Sequence, residues 1–157
     1  MKLHHRIYGD GHPLIVLHGL LGSSGNWHTL ASKVFAETYR VITVDLRNHG
    51  RSPHSEDFCY EAMVGDIVEL MDDLEIDSAH FLGHSMGGKT AMHFALEYSE
   101  RVDGLIVADI APVDYPALHR STLDALLALD LPSMASRDEI NGELARSFLM
   151  RRSEIFF

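Results

Sequence analysis

Several features that define other protein classes are scarce or missing in this chain of 157 residues. It has one cysteine, Cys59, so an internal disulfide cannot form and a disulfide-stabilised scaffold is excluded. No apolar run approaches the roughly 20 residues that span a bilayer. Basic residues are few, with 13 Lys and Arg against 23 Asp and Glu, a formal net charge of −10. We therefore expect no binding to nucleic acid or to an anionic membrane.

Targeting signals, repeats and linkers are also missing from the sequence. The first six residues are mostly polar, and the apolar run at 14–17 is too short for the core of a signal peptide. With a single cysteine, this favours a reducing, cytoplasmic location. Hydrophobic residues make up 46% and charged residues 23%, as in soluble globular domains. We expect one domain of ordinary size.

What the sequence does contain is an alternation of short apolar runs with amphipathic segments. Buried strands are predicted at residues 14–17, 41–44, 80–82 and 105–107, and helices at residues 27–35, 60–74 and 86–98. Apolar strands separated by helices indicate a mostly parallel sheet covered on both faces, the α/β class. Residues 3–8 are predicted to add an antiparallel edge strand.

The pattern changes after Pro116. Residues 1–116 are predicted to form the α/β core, and residues 117–157 a helical cap without a further strand. Leucines at helical spacing precede Pro132, which ends the first cap helix, and a capping box at residues 136–139 begins another.

The residues suited to catalysis or ligand binding follow the predicted strands. Ligands collect at the carboxyl ends of the strands of such sheets. His18, Asp45, Ser85 and Asp109 each lie where a predicted strand ends. Packing alone does not explain this coincidence.

The strongest motif is the G-x-S-x-G pentapeptide at residues 83–87, between a strand and a helix. In this context the serine, Ser85, is held on a tight turn, and a Cβ on either flanking glycine would collide with the neighbouring helix and strand. The turn also places the Met86 N–H at the positive end of a helix, where it favours an anion. A glycine-rich turn that only packs a helix is the alternative, and it leaves the serine unexplained.

A second glycine-rich segment, His18-Gly19-Leu20-Leu21-Gly22-Ser23, follows the first buried strand. Its glycines allow the backbone to approach a ligand, and the N–H of Leu20 is placed as a second donor to an oxyanion. A simple turn is the alternative.

An acid partner for Ser85 is predicted at Asp109, which follows it by 24 residues, one helix plus one strand. In a parallel sheet this places the carboxylate on the neighbouring strand, about 4.8 Å to the side. An imidazole fits between groups so placed. Asp109 could instead cap the following turn, and Asp114 is the fallback acid. We expect Asp45 to fix the loop at residues 47–52.

Together these segments resemble the α/β-hydrolase superfamily. The matching segments are residues 18–19, 45–52, 83–88 and 109–115, in the order of that superfamily. Within it the chain is most similar to small bacterial serine esterases and acyl-thioesterases, chiefly through residues 109–115 and the Asn48-His49 pair. The resemblance implies an α/β-hydrolase fold that needs no cofactor. It also implies Ser85 as the nucleophile, Leu20 and Met86 as oxyanion donors, and Asp109 as the acid.

The catalytic histidine of that superfamily has no counterpart here. The superfamily order is Ser, then acid, then His, with the base near the end of a domain of about 250 residues. The sequence has one histidine beyond Asp109, His119, in the predicted cap. His18 and His84 belong to the oxyanion segment and the serine turn, and no metal-binding spacing is present. We therefore expect the chain to be truncated or incomplete.

The sequence thus predicts a serine hydrolase that cleaves a small-molecule carboxylic ester or acyl thioester through an acyl-enzyme. Loss of a triad histidine costs about 10⁶ in turnover, so this chain alone is expected to be nearly silent. The alternatives are a carbon–carbon bond hydrolase or lyase on the same scaffold, and a non-catalytic binding protein. With later strands absent, residues 105–109 form an open apolar edge, which predicts self-association.

Overall fold

The computed structural model describes residues 1–115 and 120–153, without the side chains of residues 121 and 147–153. The chain divides into two compact units, the first covering Met1–Pro112 and the second beginning at Val113. The predicted division between residues 116 and 117 falls within residues 116–119, which lie outside this description, and it stays a prediction. In the described ranges, no helix is long and apolar enough to cross a bilayer.

The first unit is built on a five-stranded sheet. Its strands are β1 (His5–Tyr8), β2 (His12–Leu17), β3 (Tyr39–Val44), β4 (Ala79–His84) and β5 (Val102–Ala108). The strand order is β1-β3-β2-β4-β5, with β1 antiparallel to β3 and every other pair parallel. The predicted α/β class and the antiparallel edge strand are both confirmed.

Three α-helices connect these strands: α1 (His28–Lys33), α2 (Tyr60–Asp73) and α3 (Met86–Glu97). The helix predicted over residues 27–35 is present but shorter, because 3₁₀ turns at Ser24–Trp27 and Phe35–Glu37 flank α1. Apolar side chains three residues apart suit a 3₁₀ turn as well as an α-helix, so the pattern did not distinguish the two.

Both faces of the sheet are covered by apolar side chains. Because neighbouring residues of a strand point to opposite faces, Ile15 and Leu17 of β2 join one core cluster, and Leu14 and Val16 join another. The first cluster includes the ring of Phe81, 4.7 Å from that of Phe94 in α3. This double packing explains why the strand sequences are apolar throughout, and it fixes the ends of the strands where the polar residues lie.

The second unit is helical in its described part. It contains α4 (Arg120–Leu127), a 3₁₀ turn at Leu131–Ser133 and α5 (Arg137–Ser153). The Ser136 hydroxyl accepts the Glu139 N–H at 3.2 Å, as the predicted capping box requires. The Glu139 carboxylate accepts the N–H of Ala135 at 2.9 Å, one residue earlier than in the standard box. The two predicted helices are confirmed, but α4 ends at Leu127, ahead of Pro132, which lies in the 3₁₀ turn.

Candidate active site

Ser85 stands on a strained turn between β4 and α3. Its φ of 50° and ψ of −112° lie where side-chain-bearing residues are rare. The turn is held on both sides, since the Ser85 N–H donates to the Ala108 carbonyl at 3.0 Å and the Ser85 carbonyl accepts the Lys89 N–H at 3.0 Å. The half-buried Ser85 side chain thus sits at a sharp reversal from strand to helix, as predicted.

The flanking glycines are required by the close approach of backbone atoms. A Cβ on Gly83 would lie 2.4 Å from the Gly87 carbonyl oxygen, and one on Gly87 would lie 2.5 Å from the Leu17 carbonyl oxygen. Neither backbone can move without shifting β2 or α3. The structure therefore agrees with the predicted reason for glycine at both positions.

Two unused backbone N–H groups lie beside this turn. Met86 is the first residue of α3, and its N–H and that of Leu20 donate no hydrogen bond to any residue that the structure describes. The segment carrying Leu20, residues 18–22, is here called the oxyanion loop. It packs against the turn, because a Cβ on Gly19 would lie 3.3 Å from the Ser85 Cβ and the Gly87 N–H donates to the His18 carbonyl at 3.1 Å.

A cavity of about 450 Å³ opens beside the oxyanion loop. It is lined by that loop and by Asn26, Trp27, Leu30 and His84. Leucine and tryptophan side chains supply its apolar part, while the loop backbone, Asn26 and His84 supply polar groups. Such a lining suits a small organic molecule that is mostly apolar with one polar group.

Asp45, at the end of β3, organises the loop that follows it, residues 45–52, here called the β3 loop. Its carboxylate accepts the Ser24 N–H at 2.6 Å and the Arg51 N–H at 2.9 Å, and it lies 3.0 Å from His4 Nδ1. Burial acts to raise the pKa of Asp45, but the hydrogen bonds from Ser24 and Arg51 outweigh it, so the pKa lies below its ordinary value. The predicted role of Asp45 in fixing this loop is confirmed.

His18 is a buried residue of the oxyanion loop, and its hydrogen bonds hold that loop in place. Its Nε2 accepts the Leu46 N–H at 3.1 Å, and its Nδ1–H donates to the Gly19 carbonyl at 2.8 Å. Burial lowers the pKa of His18, and the neutral form therefore persists. A neutral ring with both nitrogens occupied by backbone is a structural element of the loop, not a general base for Ser85.

Asp109 lies directly after β5, in a left-handed conformation with φ 57°. Because His84 of β4 pairs with Ala108 of β5, the next residues along the two strands, Ser85 and Asp109, are neighbours across the sheet. The side chain of Asp109 is 86% exposed, and its Oδ2 lies 3.6 Å from His84 Nε2. The predicted position beside Ser85 is confirmed. The contact with His84 was not predicted.

Asp114 and His119 were also considered from the sequence. Asp114, the fallback acid, is exposed and belongs to the second unit. His119 lies outside the described residues. Within residues 1–115 and 120–153, no three His, Cys, Asp or Glu side chains gather as they would around a metal ion.

The sequence alone assigns no role to His49, whereas the structure gives it one. Its Nε2 accepts the Leu21 N–H of the oxyanion loop at 3.2 Å. The sequence signal was weak, because the two residues are 28 positions apart and only the folded sheet brings their loops together.

The chain is similar to known proteins along most of its length. The family model described as "alpha/beta hydrolase fold" matches residues 12–137. A diacylglycerol lipase from Danio rerio, "sn-1-specific diacylglycerol lipase ABHD11", is 38% identical over 152 residues, which are 92% of this chain and 48% of that protein. "Esterase YbfF" from Escherichia coli (strain K12) is 46% identical over 145 residues, 92% of this chain and 57% of that protein.

A solved structure described as "Marine microorganism esterase" superposes with a TM-score of 0.90 at 41% identity. The match covers 94% of this chain and 59% of that chain. The chain therefore spans about half the length of the curated relatives it matches.

Proposed function

Because this chain belongs to the α/β-hydrolase fold family, we propose that it carries the nucleophile and oxyanion hole of a serine ester hydrolase. The observation that carries this proposal is the strained turn at Ser85 beside the unused N–H groups of Leu20 and Met86. Strain of this kind persists where it serves a site. The names of the relatives, esterase and lipase, support ester hydrolysis by the whole protein.

The proposed chemistry is acyl transfer. The Ser85 Oγ attacks the substrate carbonyl carbon while a general base takes its proton, and the carbonyl oxygen gains the negative charge. The N–H groups of Leu20 and Met86 stabilise that charge, a contribution of about 10²–10³ in rate for each donor. The tetrahedral intermediate expels the alcohol or thiol, and water then releases the acyl group from Ser85.

Asp109 is proposed as the acid that orients the base. Its neighbouring position to Ser85 and its exposed carboxylate support this role, since a histidine approaching from solvent could reach both groups. No histidine among the described residues hydrogen-bonds the Ser85 hydroxyl. We therefore expect residues 1–157 alone to retain about 10³–10⁴ over water, the share that remains after a triad member is lost.

The proposed substrates are small-molecule carboxylic esters and acyl thioesters. The cavity beside the oxyanion loop supports this class, because Trp27 and Leu30 offer an apolar wall for an acyl group whose carbonyl lies at Ser85. An oxygen or a sulfur leaving group fits the same mechanism, so both classes belong to the proposal.

Self-association through β5 is a further part of the proposal. In the described residues β5 pairs with β4 alone, and Leu105 and Ile106 are 37% and 57% exposed. An open apolar edge is a template for another strand. Sedimentation velocity across a concentration series tests this expectation.

A cytoplasmic location, expected from the single free Cys59, also stays a prediction.

The test of the nucleophile is covalent labelling by a fluorophosphonate probe, followed by peptide mass spectrometry. We expect slow labelling at Ser85, faster labelling when imidazole is added as an external base, and none in Ser85→Ala. Turnover of p-nitrophenyl acetate, after subtraction of the hydrolysis by free imidazole, should follow the same order. A folded chain that stays unlabelled with imidazole present would contradict the proposal and favour a non-catalytic binding protein.

A further inference from the structure

Two histidines join the oxyanion loop to the β3 loop in a reciprocal arrangement. His18, on the oxyanion loop, accepts the N–H of Leu46 at 3.1 Å. His49, on the β3 loop, accepts the N–H of Leu21 at 3.2 Å. Each loop therefore holds the backbone of the other through one imidazole, and the two rings lie 5.0 Å apart.

The hydrogen bonds of His49 fix its tautomer. Because Nε2 accepts an N–H, it carries no proton, and the neutral ring keeps its hydrogen on Nδ1. That Nδ1–H donates to the Arg47 carbonyl at 2.9 Å, within the β3 loop. The ring is buried and lies 6.0 Å from that of Phe58. Both nitrogens are thus committed to backbone groups, one in each loop.

The bond from His49 falls on a strained residue. Leu21 has a φ of 61°, a conformation that side-chain-bearing residues rarely adopt and that lasts only where the surroundings hold it. The Leu21 side chain is 63% exposed, so side-chain packing does little to hold it. The backbone bonds around it, Leu21 N–H to His49 and Gly22 N–H to the Gly19 carbonyl at 3.0 Å, do so instead.

We propose that His49 is a positioning residue of the oxyanion hole: its Nε2 holds the Leu21 N–H and so fixes the direction of the adjacent Leu20 N–H. This inference rests on the proposed function, because it gives His49 a task only if Leu20 donates to an oxyanion. The donor acts in the transition state, so loss of its alignment lowers the rate of the chemical step more than it weakens substrate binding.

Two substitutions separate positioning from simple packing. In His49→Gln the amide oxygen lies near the position of Nε2 and accepts the Leu21 N–H. In His49→Asn the shorter amide donates to the Arg47 carbonyl but leaves the Leu21 N–H without its acceptor. Both variants remove the ring, so a packing role alone predicts equal effects.

The first measurement is the rate of fluorophosphonate labelling at Ser85 in the full chain with imidazole present. We expect labelling of His49→Asn to be at least about tenfold slower. Complete loss of one oxyanion donor would lower the rate by about 10²–10³, and misalignment of the donor costs part of that. His49→Gln should recover most of the rate. Equal loss in both variants, at equal unfolding midpoints, overturns the proposal, and so does wild-type labelling in His49→Asn.

The second measurement does not depend on activity. In ¹⁵N-labelled protein, an N–H···N bond gives a scalar coupling between the Leu21 amide nitrogen and His49 Nε2, which should vanish in His49→Asn. The Leu20 amide resonance should shift in the same variant and return toward its original position in His49→Gln. An unchanged Leu20 resonance in His49→Asn overturns the positioning role. If wild type never labels but these shifts occur, the proposed hydrolase function fails and the positioning of Leu20 stands.

Discussion

Two aspartates end parallel strands of the same sheet, yet they stand in opposite environments. The carboxylate of Asp45, after β3, is 3% exposed and accepts two backbone N–H groups. The carboxylate of Asp109, after β5, is 86% exposed and lies 3.6 Å from a histidine nitrogen. The position at a strand end therefore does not decide what an aspartate does. The hydrogen bonds that it has already made decide it.

The same contrast divides the site into two sides around Ser85. On the side of β2 and β3, the oxyanion loop and the β3 loop are tied together by His18 and His49, and Asp45 binds the N–H of Ser24 just beyond the oxyanion loop. On the side of β5, the exposed Asp109 is available to a further group. The side on which we propose that the oxyanion binds is held in place by the described residues, as electrostatic catalysis requires.

The largest predicted loss of stability comes from adding a side chain on the side of β2 and β3. Gly87→Ala places a Cβ 2.5 Å from the Leu17 carbonyl oxygen, and we expect a loss of about 3 kcal/mol or more in the free energy of unfolding. Urea unfolding followed by circular dichroism measures this.

The matched control is Gly65→Ala in α2, where a Cβ meets nothing within 4 Å. It should raise the free energy of unfolding by about 0.5–1 kcal/mol, because alanine is the better helix former. Equal stability of the two variants would show that the approach of α3 to β2 is loose.

The next largest effect compares the two aspartates directly. We expect Asp45→Asn to lose about 2 kcal/mol in the free energy of unfolding, because an amide replaces the charged acceptor of two backbone N–H groups. Asp109→Asn should stay within about 0.5 kcal/mol, as exposed substitutions do. Urea unfolding at neutral pH measures both variants.

The pH dependence of this difference sharpens the test. The pKa of Asp45 is lowered in the folded protein, so its contribution is present above its ordinary value of 3.8 and is lost as the pH falls through the folded value. The stability gap between wild type and Asp45→Asn should therefore narrow in acid. A gap that is the same at pH 7 and pH 3 would contradict the role of the charge.

The smallest predicted effect concerns His18. Burial lowers the pKa of His18 from its ordinary value of 6.5. Below that pH, His18 is therefore protonated in the unfolded chain but still neutral in the folded chain. The free energy of unfolding should fall as the pH drops from 6.5 to the folded value, by at most about 1.4 kcal/mol per pH unit. In His18→Gln, which cannot titrate, this part of the slope should disappear. If wild type and His18→Gln show the same dependence of the free energy of unfolding on pH between pH 7 and pH 5, burial does not lower the pKa of His18.

The sequence predicted the sheet well because buried parallel strands need apolar residues on both faces. It underestimated β2 and β5, which begin at His12 and Val102, since polar or small residues at strand entrances break the apolar run. The Ser85 turn was predictable because its glycines are dictated by backbone contact within one short segment.

The reciprocal histidines could not be predicted in the same way. Their bonds join residues 28 positions apart, and they depend on the order of β2 and β3 in the sheet. Local patterns describe neighbours along the chain, whereas these partners become neighbours only after the strands have paired. The contact between His84 and Asp109 has the same origin, since it requires the register of β4 against β5.

The two edge strands of the sheet differ in length and direction, so the two edges are not equivalent sites for adding a strand. At one margin the four residues of β1 run against β3, while at the other the seven residues of β5 run with β4. Any strand added beside β5, from whatever polypeptide, would enlarge the molecule on the flank of Asp109. Growth of the sheet at this margin would therefore also cover the exposed carboxylate of Asp109.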